Sequence, residues 1–232
     1  MTNNQIIVMD MDDVLVDMSF EMYKRIRKNW KKYNTWFVDL GPLTSEQVNS
    51  RFLYNISEWL IKKEYGEDKE KYIKTMNMIF DEICKDVFND SLYDYLEPTD
   101  FAKRTLLNPN YIDNSAISKV YILSRSVTKG QLESKERFIN KFFNHPKISF
   151  IHVGRGENKG EVLKKNNINW DLFVDDELKN IFNVYNVYKD TIKDKNFLIP
   201  SLGYNSIFPK EIKYEIVSLG ATVNYYEPYK NK

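Results

Sequence analysis

The chain of 232 residues contains a single cysteine, Cys84, and only two histidines, His145 and His152. One thiol excludes an internal disulfide and a cysteine-rich zinc site, and two imidazoles are too few for a histidine metal cluster. An excess of one charge is also missing: 34 basic and 33 acidic side chains leave a formal net charge of +1. A protein that tracks duplex nucleic acid carries a basic excess, so that partner is not expected, whereas a small anion held in one local site is compatible. No stretch approaches the roughly 20 apolar residues needed to cross a bilayer, so no membrane partner is expected. The apolar run Ile6–Met9 is cut short by Asp10, Asp12 and Asp13 and does not read as a signal peptide. The expected location is cytoplasmic. Oligomeric state is not specified at this level.

What is present suffices for one sizeable core and an inserted subdomain, with 42% hydrophobic residues over this length. Gln5–Met9 reads as a buried strand that delivers polar groups at its C-terminal end. The next eighty or so residues change character. Tyr23, Ile26, Trp30 and Tyr33 recur at helical spacing, so one face of that segment should be buried. Thr44 and Gln47 form a capping box before a second helix carrying Val48, Phe52, Ile56 and Trp59. Tyr72, Met76, Ile79, Ile83 and Val87 trace a third helix.

From Glu97 the pattern alternates. Thr99 caps a helix expected to run through Leu107, followed by a strand at Lys119–Leu123. A helix over Gln131–Phe143 leads to a strand at Ile148–Val153. A helix near Gly160–Lys165 precedes the strand Leu172–Val174. Phe197–Ile199, Lys210–Ser218 and Thr222–Tyr226 complete the series. Such alternation predicts an α/β fold, a Rossmann-like doubly wound parallel sheet with helices on both faces and an inserted helical cap. The expected division is a core of residues 1–17 and 97–232 with a cap of residues 18–96. No internal repeat or low-complexity linker interrupts it.

Ligands of doubly wound sheets sit at the C-terminal strand ends. Asp10 and Asp12 follow the first strand, Ser124 the second, and Asp175 with Asp176 a later one. Carboxylates gathered in one crevice repel each other unless a cation or protons compensate. Oxygen-only donors favour a hard ion such as Mg²⁺.

These segments carry a resemblance. IIVMDMDDVLVD resembles the first motif of the haloacid-dehalogenase-like phosphohydrolases, VYILS the second and LFVDDELKNI the fourth. A lone DxD is weak, but three motifs in order, each at a strand end, are specific. The resemblance implies a Mg²⁺-dependent phosphomonoester hydrolase working through an aspartyl phosphate. Asp10 would be the nucleophile and Asp12 the acid–base. The metal would be held by Asp10, Asp12 (through its carbonyl), Asp175 and Asp176. Ser124 and the backbone N–H groups of Met11 and Asp12 would bind phosphoryl oxygens. For the phosphate lysine, Lys135 in SKERFINKFF is preferred and Lys159 in GRGENKGEVLKK is the alternative. DMDDVLVD, LYDYLEPTDFAKR, SKERFINKFF and NKGEV are most similar to the 5′(3′)-deoxyribonucleotidases, which implies a small phosphorylated substrate, a nucleoside monophosphate. The alternatives are a sugar-phosphate or polynucleotide 3′-end phosphatase, or a phosphate-binding module without turnover.

Plainer readings apply elsewhere. Asp13 and Asp17 read as loop or cap residues, and His145 and His152 as structural. Lys24, Arg25, Arg27, Lys28, Lys31 and Lys32 read as the solvated face of an amphipathic helix. Gly154-Arg155-Gly156 lacks the ending of a phosphate loop and reads as a plain turn. The aromatics Phe20, Trp36, Phe52 and Trp59 read mostly as core.

Overall fold

Three consecutive residues of the first strand, Ile7, Val8 and Met9, are almost fully buried, so both faces of that strand are covered. A computed structural model describes residues 4–33, 41–49, 74, 78, 91–126, 128–202, 205 and 208–229. Its strands are β1 (Gln5–Met9), β2 (Ile117–Arg125), β3 (Ile148–Val153), β4 (Leu172–Val174), β5 (Asn196–Pro200) and β6 (Thr222–Tyr226). They form one sheet in the order β3-β2-β1-β4-β5-β6. Every pairing is parallel. The chain builds outward from β1 to β3, then returns to β4 on the other side of β1. That reversal opens a crevice beyond the ends of β1, β2 and β4.

Period-two alternation divides the apolar residues between two cores. Ile7, Met9, Val120, Ile122 and Val174 point into one, where Phe138 and Ile139 also lie. Val8, Leu123 and Phe173 point into the other, with Val162, Ile181, Val184 and Ile216. The longer helices supply these partners: α1 (Met18–Lys28), α2 (Lys129–Phe142), α3 (Lys159–Lys165), α4 (Leu178–Tyr188) and α5 (Lys210–Ser218). Helices thus cover both faces. The first core runs on without a break to Met18, Met22, Tyr23 and Ile26 of α1 and to Val48.

Helix starts follow side-chain capping. Thr128 accepts from Gln131 N–H at 3.1 Å ahead of α2, and Asn158 accepts from Glu161 N–H at 2.7 Å ahead of α3. The Thr44 and Gln47 capping box is present, with reciprocal bonds of 3.0 and 3.3 Å. Thr99 caps as expected, at 3.1 Å from Ala102 N–H.

Some boundaries move. The helix after Thr99 ends at Arg104 rather than Leu107, because Thr105 leaves helical geometry (ψ −88°) and its hydroxyl bonds back to the Phe101 carbonyl at 2.8 Å. β2 is longer than expected, since pairing with β3 continues through Ser124 and Arg125. α1 stops at Asn29, so Trp30 starts a separate short turn and is only partly buried. Lys24, Lys28, Lys31 and Lys32 are exposed, as a solvated face requires. Phe52, Ile56 and Trp59, most of the third cap helix, Trp36 and Cys84 lie outside the described residues.

One glycine fixes where α3 sits. A Cβ added at Gly160 would lie 2.8 Å from the Asn183 carbonyl oxygen and 2.9 Å from Val187 Cγ2 on α4. The backbone atom cannot yield without moving α4. Gly160→Ala is therefore expected to destabilise the protein by about 1–3 kcal/mol, the usual cost of overpacking. Chemical denaturation checks this, and unchanged stability would mean that the two helices are free to separate.

Candidate active site

The chain leaves β1 through a tightly held turn. Asp10 N–H donates to the Val174 carbonyl at 2.8 Å, which extends the β1–β4 ladder by one step and sets Asp10 beside Asp175. The amides of Leu15 and Val16 return to the Met11 carbonyl, at 2.8 and 3.1 Å. Asp13 adopts a left-handed conformation, φ 54°, which aspartate tolerates better than most residues. Its carboxylate accepts the Ser19 N–H at 2.9 Å and the Ser19 hydroxyl, satisfying the start of α1. Asp13 is thus a cap residue, as expected. Burial pushes its pKa up to about 7 against the lowering effect of the Ser19 hydrogen bonds.

Two buried lysines organise the remaining groups. Lys159, the first residue of α3, is 3% exposed. Its Nζ lies 2.8 Å from Asp10 Oδ1 and 2.7 Å from Asp175 Oδ2. Lys135, on α2, is 0% exposed. Its Nζ donates at 2.7 Å to each of Asp12 Oδ2, Ser124 Oγ and the Arg125 carbonyl. Those three bonds use all three ammonium protons and offset the cost of burying the charge. Asp175 is held further by Glu177 N–H at 2.9 Å and Asn180 Nδ2 at 3.0 Å, both on Oδ1. The Asp176 carbonyl accepts from Asn205 Nδ2 at 2.8 Å.

Burial raises the Asp10 pKa to about 6; Lys159 opposes the rise, and the charges of Asp175 and Asp12 add to it. Burial likewise raises Asp175, with Lys159 opposing. Burial also works against the charge on Lys159, but Asp10 and Asp175 outweigh it and hold that ammonium above its ordinary pKa. The cluster therefore carries more negative charge than one lysine can settle.

Asp10, Asp175 and Asp176 each present an oxygen to a common point, the three atoms lying within 4.8 Å of one another. An all-carboxylate, oxygen-only set fits a small hard divalent cation. The bonds from Met11 N–H and Lys159 both go to Asp10 Oδ1, at 2.7 and 2.8 Å, and neither takes Oδ2. The Asp12 carboxylate does not belong to this set. It turns the other way, to Lys135.

The candidate site residues Asp10, Met11, Asp12, Ser124, Asp175 and Asp176 thus fall at the ends of β1, β2 and β4, and Lys135 and Lys159 reach there from α2 and α3. Two participants were missed. Tyr93 donates its hydroxyl to Asp12 Oδ1 at 2.7 Å. Its own pKa is driven well above the ordinary value by burial and then by the Asp12 charge. Asn180 supports Asp175 from the first turns of α4. Its only sequence signal is an amide five positions beyond the acid, within LFVDDELKNI. Gly154-Arg155-Gly156 is a plain turn: the Gly154 N–H is taken by Glu157 Oε2 at 2.8 Å. His145 lies 3.0 Å from Asp113, and His152 is exposed on β3. A separate cavity of about 640 Å³ is lined by Asp13, Asp17, Phe20, Glu97 and Tyr229 among others, and by neither lysine of the site.

No known family profile matches the sequence, and no curated protein matches it. Solved structures do. A hydrolase of the haloacid-dehalogenase-like family from Streptococcus pneumoniae superposes with a TM-score of 0.54 at 12% identity, covering 98% of this chain and 96% of that one. A haloacid-dehalogenase-like hydrolase from Bacteroides fragilis gives 0.51 at 10% identity, covering 97% of each chain. No helix among the described residues is long and apolar enough to cross a membrane. At such identities the likeness is one of architecture: the chain has the haloacid-dehalogenase-like fold, a Rossmann-like parallel sheet with helices on both faces.

Proposed function

We propose that this protein is a Mg²⁺-dependent phosphomonoester hydrolase with Asp10 as nucleophile. The observation that carries the reading is the interleaving of two buried lysines with the aspartates at the ends of β1 and β4 and the serine at the end of β2. Lys159 joins Asp10 to Asp175, and Lys135 joins Asp12 to Ser124. A phosphoryl group is the small anion that such an array suits. Its oxygens take donors from Ser124, Lys135 and the backbone beside Met11, while a carboxylate attacks phosphorus. Asp12, the partly exposed carboxylate, gives a proton to the leaving oxygen and later takes one from water.

The role expected of one lysine is divided between two in this reading. Lys159 neutralises the nucleophile, and Lys135 holds the acid–base and the phosphate serine. Asp10, Asp175 and Asp176 would hold the metal, with the Asp12 carbonyl. When bound, Mg²⁺ neutralises charge on the transferring group. We assign residues 1–17 and 97–232 to the catalytic core and 18–96 to a cap that restricts the crevice to small substrates. A nucleoside monophosphate is the preferred substrate, on the resemblance of DMDDVLVD, LYDYLEPTDFAKR, SKERFINKFF and NKGEV.

A panel of phosphomonoesters tests this. Nucleoside monophosphates should be preferred over sugar phosphates and over oligonucleotides bearing a 3′-phosphate. A preference for oligonucleotides with steep salt dependence would move the substrate to polynucleotide ends. No turnover of any ester, including an aryl phosphate, would leave a binding module. Activity should require Mg²⁺ and disappear in excess chelator. Ca²⁺ should substitute poorly, because it prefers a larger and looser oxygen shell. Asp175→Ala combined with Asp176→Ala should weaken metal binding, read by calorimetry, more than either change alone. Full turnover in excess chelator would overturn the metal assignment.

A further inference from the structure

We propose that Tyr93 is a positioning residue for Asp12: its hydroxyl reserves one carboxylate oxygen as an acceptor, so that the other carries the proton given to the leaving group. This rests on the phosphohydrolase reading above, with Asp12 as acid–base.

Tyr93 is fully buried in the 3₁₀ turn Leu92–Tyr95. Its hydroxyl donates to Asp12 Oδ1 at 2.7 Å. Its backbone N–H donates to Ser134 Oγ at 2.8 Å, and Gln131 Nε2 lies 3.5 Å from its hydroxyl oxygen. The Lys135 ammonium stands 5.0 Å from the centre of its ring. Gln131, Ser134 and Lys135 share one face of α2. A single helix face therefore places both the tyrosine on Asp12 Oδ1 and the lysine on Asp12 Oδ2. Packing alone does not ask for a tyrosine here. Phenylalanine would fill nearly the same volume, and a buried hydroxyl is costly unless it finds a partner. Asp12 is the partner to which it donates.

The chemistry follows from the difference between the two oxygens. A protonated carboxyl has one oxygen that carries hydrogen and one that only accepts. A phenol directed at Oδ1 donates to it whether Asp12 is ionised or not, so the transferable proton resides on Oδ2. In the first half-reaction an Asp10 oxygen forms a bond to phosphorus as the ester P–O bond breaks. The electron pair of that bond goes to the leaving oxygen, which takes the proton from Asp12 Oδ2. Asp12 is left ionised and still fixed by Tyr93. Lys135, the resting partner of Oδ2, is the cation that phosphoryl oxygens would draw away from it.

Tyr93→Phe removes the hydroxyl and keeps the ring. The test compares kcat/KM for p-nitrophenyl phosphate, whose leaving group departs without protonation, with kcat/KM for an alkyl phosphate turned over by the wild type. Through a covalent phosphoenzyme, kcat/KM reports only the steps up to departure of the alcohol. The alkyl ester should lose at least about tenfold, within the usual range for acid–base assistance, and the aryl ester less than about threefold. Asp12→Asn should show the same selectivity more strongly, and adding Tyr93→Phe to it should cost the alkyl ester nothing further. Equal losses on both esters, no loss on either, or additive losses in the double variant would each overturn the proposal. A wild type that hydrolyses neither ester would instead overturn the phosphohydrolase reading, and this proposal with it.

Discussion

Asp10→Asn is expected to reduce turnover by at least about 10⁴-fold, because a carboxamide cannot form the aspartyl phosphate and the other groups cannot replace it. The same substitution should raise the melting temperature of the metal-free protein. In the fold, burial raises the Asp10 pKa to about 6 from an ordinary 3.8, so ionising it is unfavourable there even with Lys159 in contact. The sign follows from linkage. A carboxyl whose folded-state pKa is raised contributes stability that is fully present below about pH 4. That stability is lost as pH rises through about 6. The metal-free wild type should therefore weaken across this window relative to Asp10→Asn, and the gap should level off above it. Thermal melts of both proteins in chelator, taken from pH 4 to 8, read this directly. A variant that melts lower than wild type at pH 7 would show that the Lys159 ion pair outweighs burial. Residual turnover within tenfold of wild type would rule out Asp10 as the covalent nucleophile.

The two lysines give the second large effect. Lys159→Met keeps a long apolar stem but removes the cation between Asp10 and Asp175. Breaking a buried pair by removing one partner costs about 3–5 kcal/mol, so the metal-free variant should be markedly less stable. Mg²⁺ should restore part of that loss, because the carboxylates left behind are those that would hold the ion. Its kcat should fall by about 10²–10³-fold, the scale on which a single transition-state charge contact acts. Lys135→Met should leave Asp10 paired and instead release Asp12 and Ser124. Its loss should therefore be shared between kcat and KM and carry no rescue of stability by Mg²⁺. Equal Mg²⁺ rescue of both variants would mean that the division of roles between the lysines is wrong.

The different fates of these residues follow from how local each signal is. β1, β3, β4 and β6 were legible as runs whose ends match the observed ladders: β1 and β4 are short apolar runs covered on both faces, and the partly exposed edge strands β3 and β6 are rich in β-branched and aromatic residues. Asp10, Asp12, Ser124, Asp175 and Asp176 were legible because a parallel sheet brings all strand ends to one edge. Position after an apolar run is then enough to place them. Caps at Thr44 and Thr99 depend on neighbours three residues away and are equally local. The early stop at Arg104 was not readable, since a threonine's bond back to the carbonyl four residues earlier is also made within continuing helices and so marks no boundary in the sequence.

What only the tertiary structure decided is the pairing across the crevice. Helical spacing puts Lys135 and Lys159 on α2 and α3, but nothing in that spacing says which carboxylate each meets. The answer depends on where two helices from opposite faces of the sheet deliver their ammonium groups. Gly160 lets α3 settle on α4, and from the start of α3 Lys159 reaches Asp10 and Asp175. α2 covers the other face and delivers Lys135 to Asp12 and Ser124. Tyr93 was invisible for the same reason: it lies 81 residues from Asp12 along the chain, and only the packing of its turn on α2 joins them. The sequence by itself determined the sheet, its order of chemistry-bearing ends and the kinds of group gathered there. Which donor serves which oxygen was decided by the tertiary structure, because hydrogen bonds form over about 3 Å while helical periodicity fixes only a face.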